Sequence, residues 1–137
     1  MNPSSSCLAL GSVASLLIAL LHLALAVRPQ WYRHFGADEL AQMHEQGSRF
    51  TVLVTLGLAW IFAVWGIYAL SGAGMIEQLP LLRSVLIAIG VIYVLRSLML
   101  PSELFKVLLR GYPLRFVVFS TGSLAAGLLH LIGTLAR

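Results

Sequence analysis

The chain has 137 residues, 59% of them hydrophobic and 10% charged, with a net charge of +4. A typical soluble domain carries roughly 25% charged residues, so this composition, with a mean hydropathy of +0.92, excludes an ordinary soluble enzyme and points to an integral membrane protein. Nucleic-acid binding is excluded as well, because the Lys and Arg residues form no patch interleaved with aromatics on a soluble surface.

Four apolar stretches, near 7–27, 50–70, 79–100 and 114–135, are each long enough to cross a hydrocarbon core of about 30 Å at about 1.5 Å per residue. The expected fold is all-α: a polytopic membrane protein with four transmembrane helices in an up-down-up-down bundle and the first and last helices adjacent. The connections are too short for a soluble catalytic domain, so any activity sits between helices or at the two faces. The single Cys7 cannot form an internal disulfide. Preceded by three serines, it also lacks the apolar residues upstream of a lipid-attachment signal.

In the first span Ala24-Leu25-Ala26 follows an apolar run and looks like a cleavage site. A secretory signal needs a basic n-region and an apolar core of roughly 7–15 residues. Here the first Lys or Arg is Arg28, so a retained helix is expected; mature protein beginning at Val27 would overturn this. Along that helix Ser12, Ser15, Ala19 and His22 share a face, extended by Gly11 and Ala26. The last span repeats the logic: Ser120, Ser123, Gly127, His130 and Thr134 form one stripe, with Leu124, Leu128 and Leu131 turned away. Small and hydroxylated residues let backbones approach and hydrogen-bond inside a bilayer. The two helices are therefore expected to pack antiparallel, with Ser15 opposite Gly127, His22 opposite Ser120 and Ser12 opposite His130.

The second span carries Thr51, Thr55, Ala59 and Ala63 at spacing four, another close-packing stripe, and places Trp60 near mid-membrane. The third contains Arg83 and Arg96, each about one turn inside an end, and both can snorkel to their own interface. The alternative is that Arg96, with Tyr93 on the same face, binds an anionic lipid or substrate group; Glu103 is the nearest carboxylate in sequence. Trp31, Tyr32, Tyr68 and Tyr112 suit interfacial belts. Two short helices are expected between spans. One, over 37–46, starts at Asp38 and Glu39 and stops at Gly47. The other, over 102–110, follows Pro101, is capped by Ser102, and opposes Leu104, Phe105, Leu108 and Leu109 to Lys106 and Arg110, as in a helix lying in the headgroup layer.

Arg28, Arg33, Arg49, Arg96, Lys106, Arg110 and Arg115 cluster around the first and third connections, while Arg83 and Arg137 lie on the opposite side. By the positive-inside rule both termini face out.

Ionisable residues at membrane depth are the default functional candidates, here His22, His130 and Arg96. The two histidines lie roughly 10–15 Å apart along the membrane normal, taking a core of about 30 Å, so one haem iron or metal cannot be shared by both within a monomer. A serine facing each is a sufficient structural reason for them, since an unsatisfied polar group in lipid costs several kcal/mol. A proton-path, metal or cofactor role is the other reading. In the first connection His34 and His44 are weak metal-ligand candidates beside Asp38, Glu39 and Glu45. His44-Glu45 does not continue to H-E-x-x-H, and there is no Glu-x-x-His pair, phosphate loop or nucleophile elbow.

The segments Arg33–Ser48 (RHFGADELAQMHEQGS), Trp65–Gly74 (WGIYALSGAG) and Leu79–Leu100 (LPLLRSVLIAIGVIYVLRSLML) resemble a group of small bacterial inner-membrane proteins with no assigned activity. The likeness covers most of the chain after the first span. It implies a four-span fold and a bacterial inner membrane, and brings no functional residue with it. Two function classes follow from the residues. One is a binding or accessory subunit, with the lipid bilayer, further copies of itself or a larger membrane complex as partners. The other is a small transporter or a haem- or quinone-linked redox carrier using His22, His130 and Arg96.

Overall fold

A computed structural model describes residues 2–137. Among them the chain is all-α, with helices α1 (Pro3–Val27), α2 (Asp38–Glu45), α3 (Phe50–Gly72), α4 (Leu82–Ser97), α5 (Leu100–Arg110) and α6 (Arg115–Leu135), and one 3-10 turn at Pro29–Trp31. Four stretches are long and apolar enough to cross a membrane: α1, α3, α6 and the run Leu82–Arg110 that joins α4 to α5. Each long helix packs on two neighbours in a ring, α1 on α3, α3 on α4, α4 on α6 and α6 back on α1. The result is the expected up-down-up-down bundle, with the first and last helices adjacent.

Local chemistry sets the helix ends. α1 starts at Pro3, earlier than the apolar run alone indicates, because Asn2 caps it: its Oδ1 accepts from the Ser5 N–H at 2.8 Å and the Ser4 hydroxyl at 2.9 Å. Proline in the first turn costs nothing there, since that N–H has no helical partner. α4 is shorter than the expected 79–100 span. Pro80 and a left-handed Leu81 (φ 54°) precede it. At its other end Pro101 has no N–H to give the Ser97 carbonyl, and its ring crowds that carbonyl. The chain turns at Leu98–Met99 and restarts as α5, whose N-cap is Met99. Ser102 is therefore not the cap expected from sequence; it lies inside α5 and donates to the Met99 carbonyl at 2.9 Å. Gly47 and Gly111 do end α2 and α5 with the positive φ that glycine tolerates best, 84° and 65°.

Backbone contact through glycine brings the long helices together. A Cβ on Gly133 of α6 would lie 3.0 Å from the Ser4 carbonyl and 2.7 Å from Leu8 Cγ of α1. A Cβ on Gly66 of α3 would stand 2.7 Å from Leu16 of α1. Gly90 of α4 and Gly127 of α6 meet face to face: a Cβ on Gly127 would lie 3.0 Å from both the Gly90 carbonyl and the Val94 nitrogen. Gly127 thus packs on α4 rather than opposite Ser15 of α1. Leu131, expected to face away, packs on Gly90. With no hydrophobic drive between helices in lipid, such close approach is what holds them.

Both termini lie at one end of the bundle and α2 and α5 at the other. The loop end is closed from inside by Tyr32. That residue is not the interfacial belt residue expected from sequence: it is 1% exposed, and its hydroxyl pairs with Thr55 Oγ1 at 2.7 Å. Trp31, by contrast, is exposed, with the Arg28 guanidinium over its ring at 5.8 Å. Phe35 stacks on Phe119 and Gly36 sits against the ring of Phe116, tying the first connection to the start of α6.

Candidate functional site

Most of the stripe residues are buried as their spacing indicates: Ser12, Ser15, Ser120, His130 and Thr134 are enclosed, whereas His22 and Ser123 are only half-buried. Their partners are not each other. Ser12 donates to the Gly66 carbonyl of α3 at 2.9 Å, and Ser15 Oγ pairs with the Tyr93 hydroxyl at 2.9 Å. This second bond crosses the bundle on its diagonal, from α1 to α4. Neither histidine bonds a serine. His22 Nδ1 lies 2.8 Å from its own Ile18 carbonyl, and His130 Nδ1 lies 2.8 Å from the Ala126 carbonyl. Each imidazole uses a carbonyl one turn back on its own helix, which satisfies one nitrogen without help from a facing helix.

His130 is 0% exposed, and its Nε2 has no hydrogen-bond partner. Its ring lies against Gly11, where a Cβ would stand 2.9 Å from Cε1 and Nδ1. A larger residue at position 11 would have to displace the imidazole. Aromatic rings run from here through the core. His130 lies 5.6 Å from Tyr93 between centroids, Tyr93 lies 6.1 Å from Phe62, and Phe62 lies 5.0 Å from His22. Trp65 packs edge-on against both Tyr93 and Phe62 at 5.2 Å. His130 sits beside Gly11, eleven residues from His22 on α1, so the histidines stand about 16 Å apart along that helix. That is close to the separation expected from sequence, and one metal or haem iron cannot take both.

Toward the loop end, one turn from Tyr93, Arg96 donates from Nη1 to Ser120 Oγ at 3.0 Å and lies 3.7 Å from Glu103 Oε1 of α5. Ser120 also donates to Glu103. Helices α4, α5 and α6 each contribute one member. The side chain of Glu103 is 13% exposed and that of Arg96 46%, so the carboxylate is held inside while the guanidinium reaches outward. Glu103 and Ser120 together give Arg96 an internal partner, and Tyr93, its neighbour on the same face, is turned inward to Ser15. The Tyr93 hydroxyl is thus engaged with Ser15 and the Arg96 guanidinium with Ser120 and Glu103.

Comparison with protein families, with curated proteins and with solved structures finds no match. Function therefore rests on the geometry.

In the first connection His34 lies edge-on against Phe35, His44 Nδ1 has no partner, and Arg33 forms an exposed pair with Glu45 at 2.9 Å. Among the described residues no three His, Cys, Asp or Glu side chains come together where they could hold a metal. Trp60 is 72% exposed on the outer surface of α3, away from the ring cluster that Trp65 joins.

Sequence reasoning named His130, Tyr93 and Arg96 but missed Ser15 and Ser120 as their partners. The signal was present, since both serines lie on the small-residue stripes; which helix each faces was not. Tyr93→Phe is expected to cost about 0.6–1.7 kcal/mol, the range for hydrogen bonds between membrane helices. A double-mutant cycle with Ser15→Ala, read by thermal unfolding in detergent, should return that coupling. Additive costs would mean the hydroxyls do not pair.

Proposed function

We propose that this chain is a multi-pass protein of a bacterial inner membrane, N-out and C-out, acting as a small binding or accessory subunit beside further copies of itself or a larger membrane complex. The observation carrying this reading is that polar groups at membrane depth are largely spent inside the chain. Ser12 is engaged with Gly66, Ser15 with Tyr93, Tyr32 with Thr55, and Arg96 with Glu103 and Ser120. What remains for a partner is apolar surface along the long helices and α5, whose Leu104, Phe105, Leu108 and Leu109 are exposed. Its test is native mass spectrometry of the full chain purified in mild detergent. A mass above that of one chain is expected, and a bare monomer at all concentrations counts against it. For orientation, in a Cys7→Ala background, Ala136→Cys should react with an impermeant maleimide added outside the inner membrane, and Gln46→Cys only after lysis. The reverse pattern would invert the topology.

A second reading, a small transporter or redox carrier, is favoured by one observation: the enclosed Nε2 of His130 at the end of the ring series leading to His22. Visible absorbance or bound metal in purified protein would support it, as would His130→Ala protein that folds at wild-type yield but loses a co-purifying chromophore. Loss of folded yield on His130→Ala, with partner retention unchanged in the protein that survives, supports the accessory reading.

A further inference from the structure

At the end of the bundle where the termini lie, a cavity of about 190 Å³ is lined by Gln78, Leu82, Arg83, Thr134 and Arg137. Three segments build it. Ser71 fixes the connection between α3 and α4: its hydroxyl donates to the Glu77 carbonyl at 2.8 Å and accepts from the Leu79 N–H at 3.0 Å, which sets Gln78 at the rim. The bare surface of Gly72 lets Arg137 lie across the end of α3, with Nη1 3.7 Å from where a Cβ would be. Leu82 is buried and forms the apolar floor, and Arg83 stands beside it at the start of α4.

Arg83 and Arg137 therefore line one notch, and among the described residues neither forms an ion pair with an Asp or Glu side chain. The two ion pairs among the described residues, Arg33–Glu45 and Arg96–Glu103, lie at the other end of the bundle. Glu77, nearest in sequence, reaches Ser71 with its backbone and pairs with neither arginine. The amides of the first turn of α4 add to the positive potential, since Leu81 offers no side-chain cap. Guanidinium forks match the oxygens of a phosphate. The cavity falls below the about 300 Å³ at which pockets begin to enclose whole small molecules, so it suits a headgroup-sized anion.

We propose that this notch binds one net-anionic phosphate group, either the headgroup of an acidic phospholipid or free phosphate, through Arg83, Arg137 and Gln78. The proposal is independent of the accessory-subunit reading and survives if that reading fails. Its position favours a lipid: Met75, Ile76 and Leu81, all exposed, surround that end of the bundle and would meet acyl chains.

The test uses the full chain in mild detergent with phosphatidylglycerol or phosphatidylcholine added, and reads bound lipid by native mass spectrometry. Preferential retention of phosphatidylglycerol is expected. Arg83→Gln and Arg137→Gln should each weaken it about fivefold, the effect of one basic residue near an acidic membrane surface. Both arginines are exposed, so neither variant should disturb folding. Arg33→Gln, in the first connection at the other end and already paired with Glu45, removes the same charge and should leave retention unchanged. A parallel titration with inorganic phosphate separates the two sources. Displacement of the lipid assigns the site to the anion alone, and no displacement assigns it to the headgroup with its chains. Equal retention of the two lipids without any effect of phosphate, or equal losses from Arg33→Gln and the two notch variants, overturns the proposal.

Discussion

Gly127→Ala is expected to destabilise the bundle by about 1–3 kcal/mol, the cost of forcing a group into a packed interface, and Gly127→Val by more. The added Cβ would stand 3.0 Å from the Gly90 carbonyl and the Val94 nitrogen. Both are backbone atoms in a regular helix and cannot swing aside as a side-chain tip can, so α4 and α6 must separate. Separation loses the contact along which these helices meet and loosens Arg96 from Ser120. Gly57 and Gly122 are the controls. Each is helical with nothing within 4 Å of an added Cβ, so Gly57→Ala and Gly122→Ala should stabilise by up to about 1 kcal/mol through helix propensity alone. Thermal unfolding in one detergent, followed by circular dichroism, checks all of these. Equal behaviour of Gly127→Ala and Gly122→Ala would mean that α4 and α6 do not cross this closely.

The second large effect is asymmetric. Arg96→Ala should destabilise more than Glu103→Ala, although both remove the same ion pair. Glu103 is nearly enclosed while Arg96 is about half exposed, so the two orphans are not equivalent. Losing Arg96 strands a carboxylate with only Ser120 for company; because the pair is long and its arginine half exposed, the cost falls below that of a fully buried pair, to about 1–3 kcal/mol. Losing Glu103 leaves a long guanidinium that can rotate to the headgroup layer at a cost of about 1 kcal/mol or less. The double variant should recover much of the loss caused by Arg96→Ala. Unfolding temperatures of the three proteins at neutral pH decide it. A larger loss for Glu103→Ala would show that the pair serves to hold the arginine inside.

The fold class was legible because apolar runs of twenty or so residues have few alternatives in a chain this short. Burial of Ser12, Ser15, Ser120 and His130 was legible from helical spacing, and Glu103 as partner of Arg96 from their separation of seven residues. Adjacency of α1 and α6 was legible too; which residues meet across the helices was not. Small residues mark a face on all four long helices, Gly66 and Gly90 included, so nothing local says that Gly127 meets Gly90 or that Ser12 meets Gly66. The histidines were assigned serines because a facing hydroxyl was the visible way to satisfy them. Bonding to the carbonyl one turn back needs no partner helix and leaves the facing serines free for α3 and α4. Leu81 carries no mark of its left-handed backbone, and Pro101 looked like the start of α5 without revealing that the third span is jointed at Leu98–Met99.

The long helices are unequal rods. With 25 residues in α1 and 16 in α4, their lengths are about 37 Å and 24 Å, and they stand diagonally opposite. The shorter rod does not cross alone, because the apolar run continues through α5 to Arg110. A hydrocarbon core of about 30 Å is therefore met on one flank by a single straight helix, whose excess length a tilt accommodates, and on the other by a jointed pair that turns at Leu98–Met99.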